Sequence, residues 1–225
     1  DPAETHTLVP GDLLYLPPGV AHHGLGETPS LTWSIGFRAP SVGDLLRELA
    51  DTLDALEPAP RYADAGLDDA EVAPGYISHA ALSRATALLE AAAHVGRATA
   101  LACLGRAVTR PKPWLQPEPP EGALSADALA VRLGDGARLR RHPAVRLAWH
   151  AGAEAVWLFA EGETWQLPPH QVALVRRCAA GEPLGPAQLP RGGNGALAVL
   201  AELHGRGCLE LLEPECDESP EENAI

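Results

Sequence analysis

The chain contains no methionine, and its first residue is Asp1. Translation is therefore expected to begin upstream of the stretch shown. Long apolar runs are missing as well: nothing approaches the ~20 residues that a membrane-spanning helix needs. No charged n-region leads into a short apolar h-region, so no secretory signal is expected and a cytoplasmic location, away from any membrane, is the default. Cysteine is sparse and scattered. Cys103, Cys178, Cys208 and Cys216 form no C-x-x-C pair and no dense framework, which argues against a structural zinc site and a disulfide scaffold. Each thiol is expected to be a small buried apolar group or an incidental surface residue. Basic residues are short too, 17 against 30 acidic ones, for a formal net charge of −13 and a pI near 5.0. That balance is a poor match to a nucleic-acid backbone. Gly192-Gly193-Asn194-Gly195 lacks the Lys-Ser/Thr ending of a phosphate loop, and no G-x-S-x-G nucleophile motif occurs.

What the chain does have is a globular composition, 46% apolar and 21% charged. Its length suffices for one large domain or two smaller ones with cores of their own. The charge is uneven. Residues 214–225 carry Glu215, Asp217, Glu218, Glu221 and Glu222 without a basic residue, and read as a disordered acidic tail. Arg138, Arg140, Arg141 and Arg146 crowd together, either as a solvated basic strand face or as a contact surface.

By pattern the fold class is α+β. Residues 1–40 read as strands and tight turns. Pro10-Gly11-Asp12 is a turn, Leu13 to Leu16 a short strand stopped by Pro17-Pro18-Gly19, and Leu31 to Phe37 a second strand with period-two alternation. Two such strands do not make a domain alone, so the segment reads as the edge of a larger β-structure. Residues 41–109 are helical. Ser41 is a good N-cap with Asp44 in the first turn. Leu45, Leu46, Leu49, Leu53 and Leu56 recur at helical spacing until Pro58 and Pro60. Alanine-rich helices follow over 77–93 and 97–108, their small faces suited to close packing within one chain or between two. Pro111 to Pro120 marks an interdomain linker over 110–122. Residues 123–213 form a compact α+β unit. Its expected strands are Leu129 to Leu133, Val145 to Trp149, a hairpin of Val156–Phe159 and Thr164–Leu167 around Glu161-Gly162, and Cys208 to Leu212. Helices are expected near 169–179 and over Ala196 to His204, the latter closed by Gly205 and Gly207. Short helices and hairpins of this size fit a winged-helix-like module.

The chemically informative stretch is Pro10-Gly11-Asp12-Leu13-Leu14-Tyr15-Leu16-Pro17-Pro18-Gly19-Val20-Ala21-His22-His23-Gly24. A strand enters a rigid double-proline turn and a histidine emerges beyond it, which suits an imidazole held for a metal because little entropy is lost on ordering. A surface-loop reading of the His-His pair stands beside it. The other histidines, His79, His94, His142, His170 and His204, show no pairing.

The run P-G-D-x-L-Y-x-P-P-G-x-x-H-x-G, followed by S-x-G-F-R-A-P at Ser34 to Pro40, resembles the cupin-type, JmjC-related ribosomal oxygenases. Those enzymes hydroxylate arginine or histidine side chains of ribosomal proteins, using Fe(II) and 2-oxoglutarate. The resemblance implies the C-terminal edge of a double-stranded β-helix, then a helical dimerisation region, a proline-rich connection and a winged-helix-like domain. It implies that His22 is the last of three iron ligands, in a two-histidine-one-carboxylate triad whose other positions serve 2-oxoglutarate and dioxygen. His23 is expected not to be a ligand. Ser34 would line the barrel, either shaping the 2-oxoglutarate pocket or merely filling space. A ribosomal-protein substrate and a homodimer through the helical region are implied, with an arginine target preferred over histidine.

The chain departs from the family in one respect: it has no H-x-D or H-x-E motif. His6 is followed by Thr7 and Leu8, and His150 has Glu154 four residues on, in another domain. A single neutral imidazole does not hold iron usefully. The intact parent is therefore expected to be a dioxygenase and this stretch alone inactive. Two alternatives are a non-catalytic cupin-like binding module and a winged-helix DNA-binding regulator. The negative charge counts against the latter, and no direct DNA binding is expected.

Overall fold

A computed structural model describes residues 4–36, 39–56, 61–63, 76–189 and 194–214. It divides into two units, Asp1–Arg38 and Ala39–Ile225. The acidic tail, Cys216 and the prolines expected to end the first helix lie outside the described residues.

In the first unit two reverse turns form where proline and glycine dictate them. Asp12 N–H donates to the Val9 carbonyl at 3.0 Å across Pro10-Gly11, and Val20 N–H to the Pro17 carbonyl at 3.3 Å across Pro18-Gly19. In each, proline presets one central residue and glycine takes the positive φ, +99° at Gly11 and +81° at Gly19, that a type II turn needs. The strands expected over Leu13–Leu16 and Leu31–Phe37 are not there: among residues 4–36 no strand is present. A strand exists through its ladder, and no partner strand reaches these stretches. Their alternating side chains accordingly stand in the open, Trp33 at 84% exposure and Leu13 at 87%.

The second unit begins with α1, Val42–Asp54. It is closed by a capping box in which Ser41 Oγ accepts from Asp44 N–H and the Asp44 carboxylate accepts from Ser41 N–H. Helices α2, His79–Ala93, and α3, Arg97–Thr109, meet at 81° around Gly96. No single helix among the described residues is long and apolar enough to cross a membrane.

Next comes α4, Ala126–Gly134, where a strand over Leu129–Leu133 was expected. Three alternating apolar residues fit either period, and burial shows which applies. Leu129 and Leu133, one helical turn apart, are fully buried, while Val131 is 61% exposed. Ser125 Oγ accepts from Ala128 N–H and starts the helix.

Strands β1, Arg138–Arg141, β2, Leu147–Ala151, β3, Val156–Ala160, and β4, Glu163–Leu167, precede α5, Val172–Ala180, α6, Asn194–Gly205, and β5, Leu209–Leu212. The order β2-β3-β4 is an antiparallel sheet whose β3–β4 hairpin turns at Glu161-Gly162, with φ of +50° and +78°. β1 pairs antiparallel with β5, Leu139 opposite Leu211, and Leu139 exchanges two further backbone hydrogen bonds with Leu184. One core joins these parts through Leu129, Leu139, Leu158, Val175, Leu203 and Leu209.

The sheet's other face carries Phe159, and α3 lies on it. Gly105 meets the Phe159 ring so closely that a Cβ there would overlap it. Thr109, buried, donates to the Gly105 carbonyl at 2.8 Å and accepts from Gly162 N–H at 3.3 Å, tying the helix end to the hairpin turn. The proline-rich stretch runs along the same unit. Its Glu118 carbonyl passes Gly207 so closely that a Cβ there would stand 2.9 Å from it.

Cys103, Cys178 and Cys208 are buried free thiols, and burial pushes both Cys178 and Cys208 up to about 12 from an ordinary 9.0. A thiol raised in the fold holds its proton there after the unfolded chain has lost it. The contribution to stability is full below about pH 9 and is lost as pH rises towards 12. Stability is expected to fall across that window, and the slope to shrink in the C178A/C208A double variant, measured by urea unfolding at stepped pH. An unchanged slope would place the alkaline-sensitive groups elsewhere.

Candidate metal-ligand loop

The loop is built from the second of the two turns. Pro17 and Pro18 hold the chain rigid, Gly19 reverses it, and Val20 to His23 leave outside any helix or strand. His22 curls back, so that its ring Nδ1–H donates to the carbonyl oxygen of Val20 at 3.1 Å. With the proton on Nδ1, Nε2 keeps its lone pair and faces solvent, the form in which imidazole binds a metal. The upstream turn is braced independently, Val9 N–H donating to the Asp12 carboxylate at 2.9 Å. His23 and Ser34 are exposed. His6 lies 3.3 Å from Glu4, both well exposed.

His22 thus fits one imidazole position at a metal, and the chain provides no more than that. Among the described residues no three His, Cys, Asp or Glu side chains gather as a possible metal site. One neutral imidazole is not a facial triad, so the residues present do not make a complete iron site.

Two of the remaining histidines serve structure. His204, buried on α6, donates from Nδ1 to the Leu209 carbonyl at 2.9 Å, and His142 accepts from Ala144 N–H at 3.1 Å. The arginine cluster is also largely engaged. Arg140 pairs with Glu210 at 3.1 Å, Arg141 donates to the Val145 carbonyl at 2.5 Å, and Arg146 donates to the Arg110 carbonyl. Three of the four guanidiniums therefore hold the fold together.

Sequence reasoning missed a buried charge cluster between α1 and α3. Glu48 is 3% exposed. Its carboxylate accepts from Arg106 Nε at 3.2 Å and Arg110 Nε at 2.9 Å, while Arg106 also reaches the Glu48 carbonyl and Thr52 Oγ1. Arg110 is raised above its ordinary value, chiefly by its hydrogen bond to Glu48. The signal was present in the spacing: Leu45, Glu48, Leu49 and Thr52 share one helix face, which puts a carboxylate in an apolar stripe.

Comparison with known proteins follows this division. A family model described as a JmjC domain matches residues 1–45, and one described as a ROXA-like winged helix matches residues 88–204. The ribosomal protein uL16 3-hydroxylase of Escherichia coli is 46% identical over 44 residues, 20% of this chain and 12% of that protein. A probable ribosomal oxygenase of Haemophilus influenzae is 46% identical over 37 residues, 16% of this chain and 9% of that one. The solved structure of YcfD, a ribosomal oxygenase from Escherichia coli, in complex with cobalt and 2-oxoglutarate superposes with a TM-score of 0.55 at 20% identity. It covers 79% of this chain and 48% of its own, so the chain spans about half the length of that relative. A complex of YcfD with cobalt and succinic acid gives 0.54, also at 20% identity. These superpositions speak for the fold.

Proposed function

We propose that this chain, which belongs to the ROXA-like winged-helix family, is the C-terminal portion of a ribosomal oxygenase whose intact form hydroxylates a ribosomal-protein side chain with iron(II) and 2-oxoglutarate. In that reading residues 1–40 are the last strands of the JmjC barrel, and His22 is one of three iron ligands, the other two arriving in an H-x-D motif ahead of Asp1. The observation that carries it is the overlap at one place of two independent signals. The JmjC match over residues 1–45 contains His22, and His22 is the imidazole whose Nε2 the Pro17–Val20 turn leaves unengaged. In the intact parent His22 would hold iron(II) through Nε2, and iron(II) with 2-oxoglutarate would supply the oxidising chemistry for hydroxylating a C–H bond.

The chain's own residues then have limited tasks. His22 donates a lone pair. Ser34 sits beside the 2-oxoglutarate pocket once the strand containing it is paired. The helical region, where α2 exposes Leu82 and Leu89, is the homodimer contact. A net charge of −13 suits a basic ribosomal protein as partner, and we favour arginine over histidine as the target. By itself this stretch is inactive, for want of two ligands.

The test uses the protein extended upstream, incubated with iron(II), 2-oxoglutarate and ribosomal-protein peptides. A mass gain of one oxygen atom on the peptide is expected. In His22→Ala both that product and the bound iron should be lost. An extended protein that binds no iron and forms no product would overturn the reading.

A further inference from the structure

We infer that the groove between α6 and the start of α4 docks arginine or lysine side chains of a basic protein partner; that this partner is the ribosomal-protein substrate rests on the reading above. The groove exists because the residues on both walls are small. Ala198, Ala201 and Gly205 recur at helical spacing on α6, and Ala126 is the first residue of α4. No side chain there is long enough to fill the space. What remains is an open groove of about 400 Å³, lined by Leu124 and those small residues and edged by Glu202 and Arg206. At Gly205 the two walls meet, since a Cβ there would stand 3.5 Å from the Ala123 Cβ.

The rim decides the occupant. Of the lining residues only Arg206 is cationic, and it is engaged. Its guanidinium lies 5.5 Å from the centroid of the Trp165 ring, pairs with Glu202 at 3.1 Å and approaches Glu163 at 3.8 Å. Glu202 accepts in turn from Trp165 Nε1–H at 3.0 Å, so a carboxylate is fixed at the groove's edge before any partner arrives. Its oxygens keep lone pairs for a further donor. Two more acids flank the lining residues in sequence, Glu121 ahead of Ala123 and Asp127 after Ala126. Both are exposed and neither is paired among the described residues. The surround is therefore net acidic above an apolar floor. A lysine or arginine side chain matches both at once, its methylene stem on the floor and its charged head among the carboxylates. Like charge excludes the chain's own acidic tail and a nucleic-acid backbone, and a purely apolar segment gains nothing from the rim.

The experiment is a titration of this chain, labelled with ¹⁵N and free of metal, with basic ribosomal-protein peptides and with an acidic peptide of equal length. Trp165 is the reporter, because its indole N–H rests on Glu202. Basic peptides are expected to shift that resonance and the amides of Ala198 to Arg206, and added salt to weaken the binding. The acidic peptide should shift neither. Ala198→Lys puts a cation into the groove at an exposed helical position. It should weaken binding about tenfold through like-charge repulsion. Glu121→Lys acts in the same direction from outside any helix. Ala173→Lys, exposed on α5, changes the net charge as Ala198→Lys does and should leave the affinity within about twofold. No shift at Trp165, binding that survives both Ala198→Lys and Glu121→Lys, or an acidic peptide that binds as well would overturn the inference. In the extended protein Ala198→Lys should raise KM for a whole ribosomal protein about tenfold and leave kcat unchanged, because the groove binds and does no chemistry. Docking without hydroxylation would sink the oxygenase reading and leave the groove's preference for basic side chains standing, so the two fail separately.

Discussion

Gly105→Ala is expected to destabilise the winged-helix unit, although alanine in place of glycine inside a helix ordinarily stabilises by ~1 kcal/mol. The Phe159 ring lies where the new methyl group would go. Phe159 is 1% exposed and stacks against Trp157 at 6.3 Å, so it has little room to withdraw. Overpacking of that kind costs ~1–3 kcal/mol, which outweighs the propensity gain. Phe159→Ala alone should cost ~3–5 kcal/mol through lost burial and the cavity it leaves. The informative measurement is the double variant. With the ring gone, Gly105→Ala fills space and follows its helix propensity, so its effect should change sign. Urea unfolding of the four proteins gives the coupling energy directly. A Gly105→Ala that raises the midpoint in the parent chain would show that α3 does not sit against the sheet as described.

That contact also shows why some of the architecture could be read in advance and some could not. Local rules carried the parts they govern. Ser41 and Asp44 announce a helix start because they satisfy its first amides, and Glu161-Gly162 between two β-rich runs announces a hairpin. Where two periods fit the same letters, locality fails. Leu129, Val131 and Leu133 alternate as a strand would, but the core they meet takes Leu129 and Leu133 from one side of a helix. The meeting of Gly105 with Phe159, and of Glu48 with Arg106 and Arg110, joins residues far apart in sequence, and no short window holds both partners. The candidate ligand behaves differently. His22, the turn before it and the Val20 carbonyl that its ring meets are all local, so the turn that presents the ring was legible in the sequence. A metal site would need ligands that are not local, and among the described residues no three His, Cys, Asp or Glu side chains gather. The strands on either side of His22 failed for the same reason, since pairing partners are long-range.

Replacing Glu48 by alanine is expected to have a comparably large effect, through charge rather than packing. The carboxylate is 4% exposed and Arg106 is 21% exposed, so both are largely withdrawn from water. Removing the acid leaves Arg106 facing Thr52 and a backbone carbonyl without a counter-charge, and breaking a buried pair from one side costs ~3–5 kcal/mol. Arg110, at 55% exposure, is reached by water and by Asp51 at 3.3 Å, so Arg110→Ala should cost far less, within the ~0–1 kcal/mol of an exposed pair. The ranking Glu48→Ala above Arg106→Ala above Arg110→Ala follows from burial alone. Changing both partners tests it further. Glu48→Leu with Arg106→Leu removes the charges together and leaves an apolar stripe continuous with Leu45 and Leu49, so much of the loss should return. Proteolysis reports the location, because a weakened cluster releases α1 from α3 before the β2-β3-β4 sheet opens. Cleavage in α1 of Glu48→Ala, at protease levels that leave the parent chain intact, is the expected result. Equal stability of Glu48→Ala and Arg110→Ala would mean that water reaches Glu48 and that α1 is held by its leucines alone.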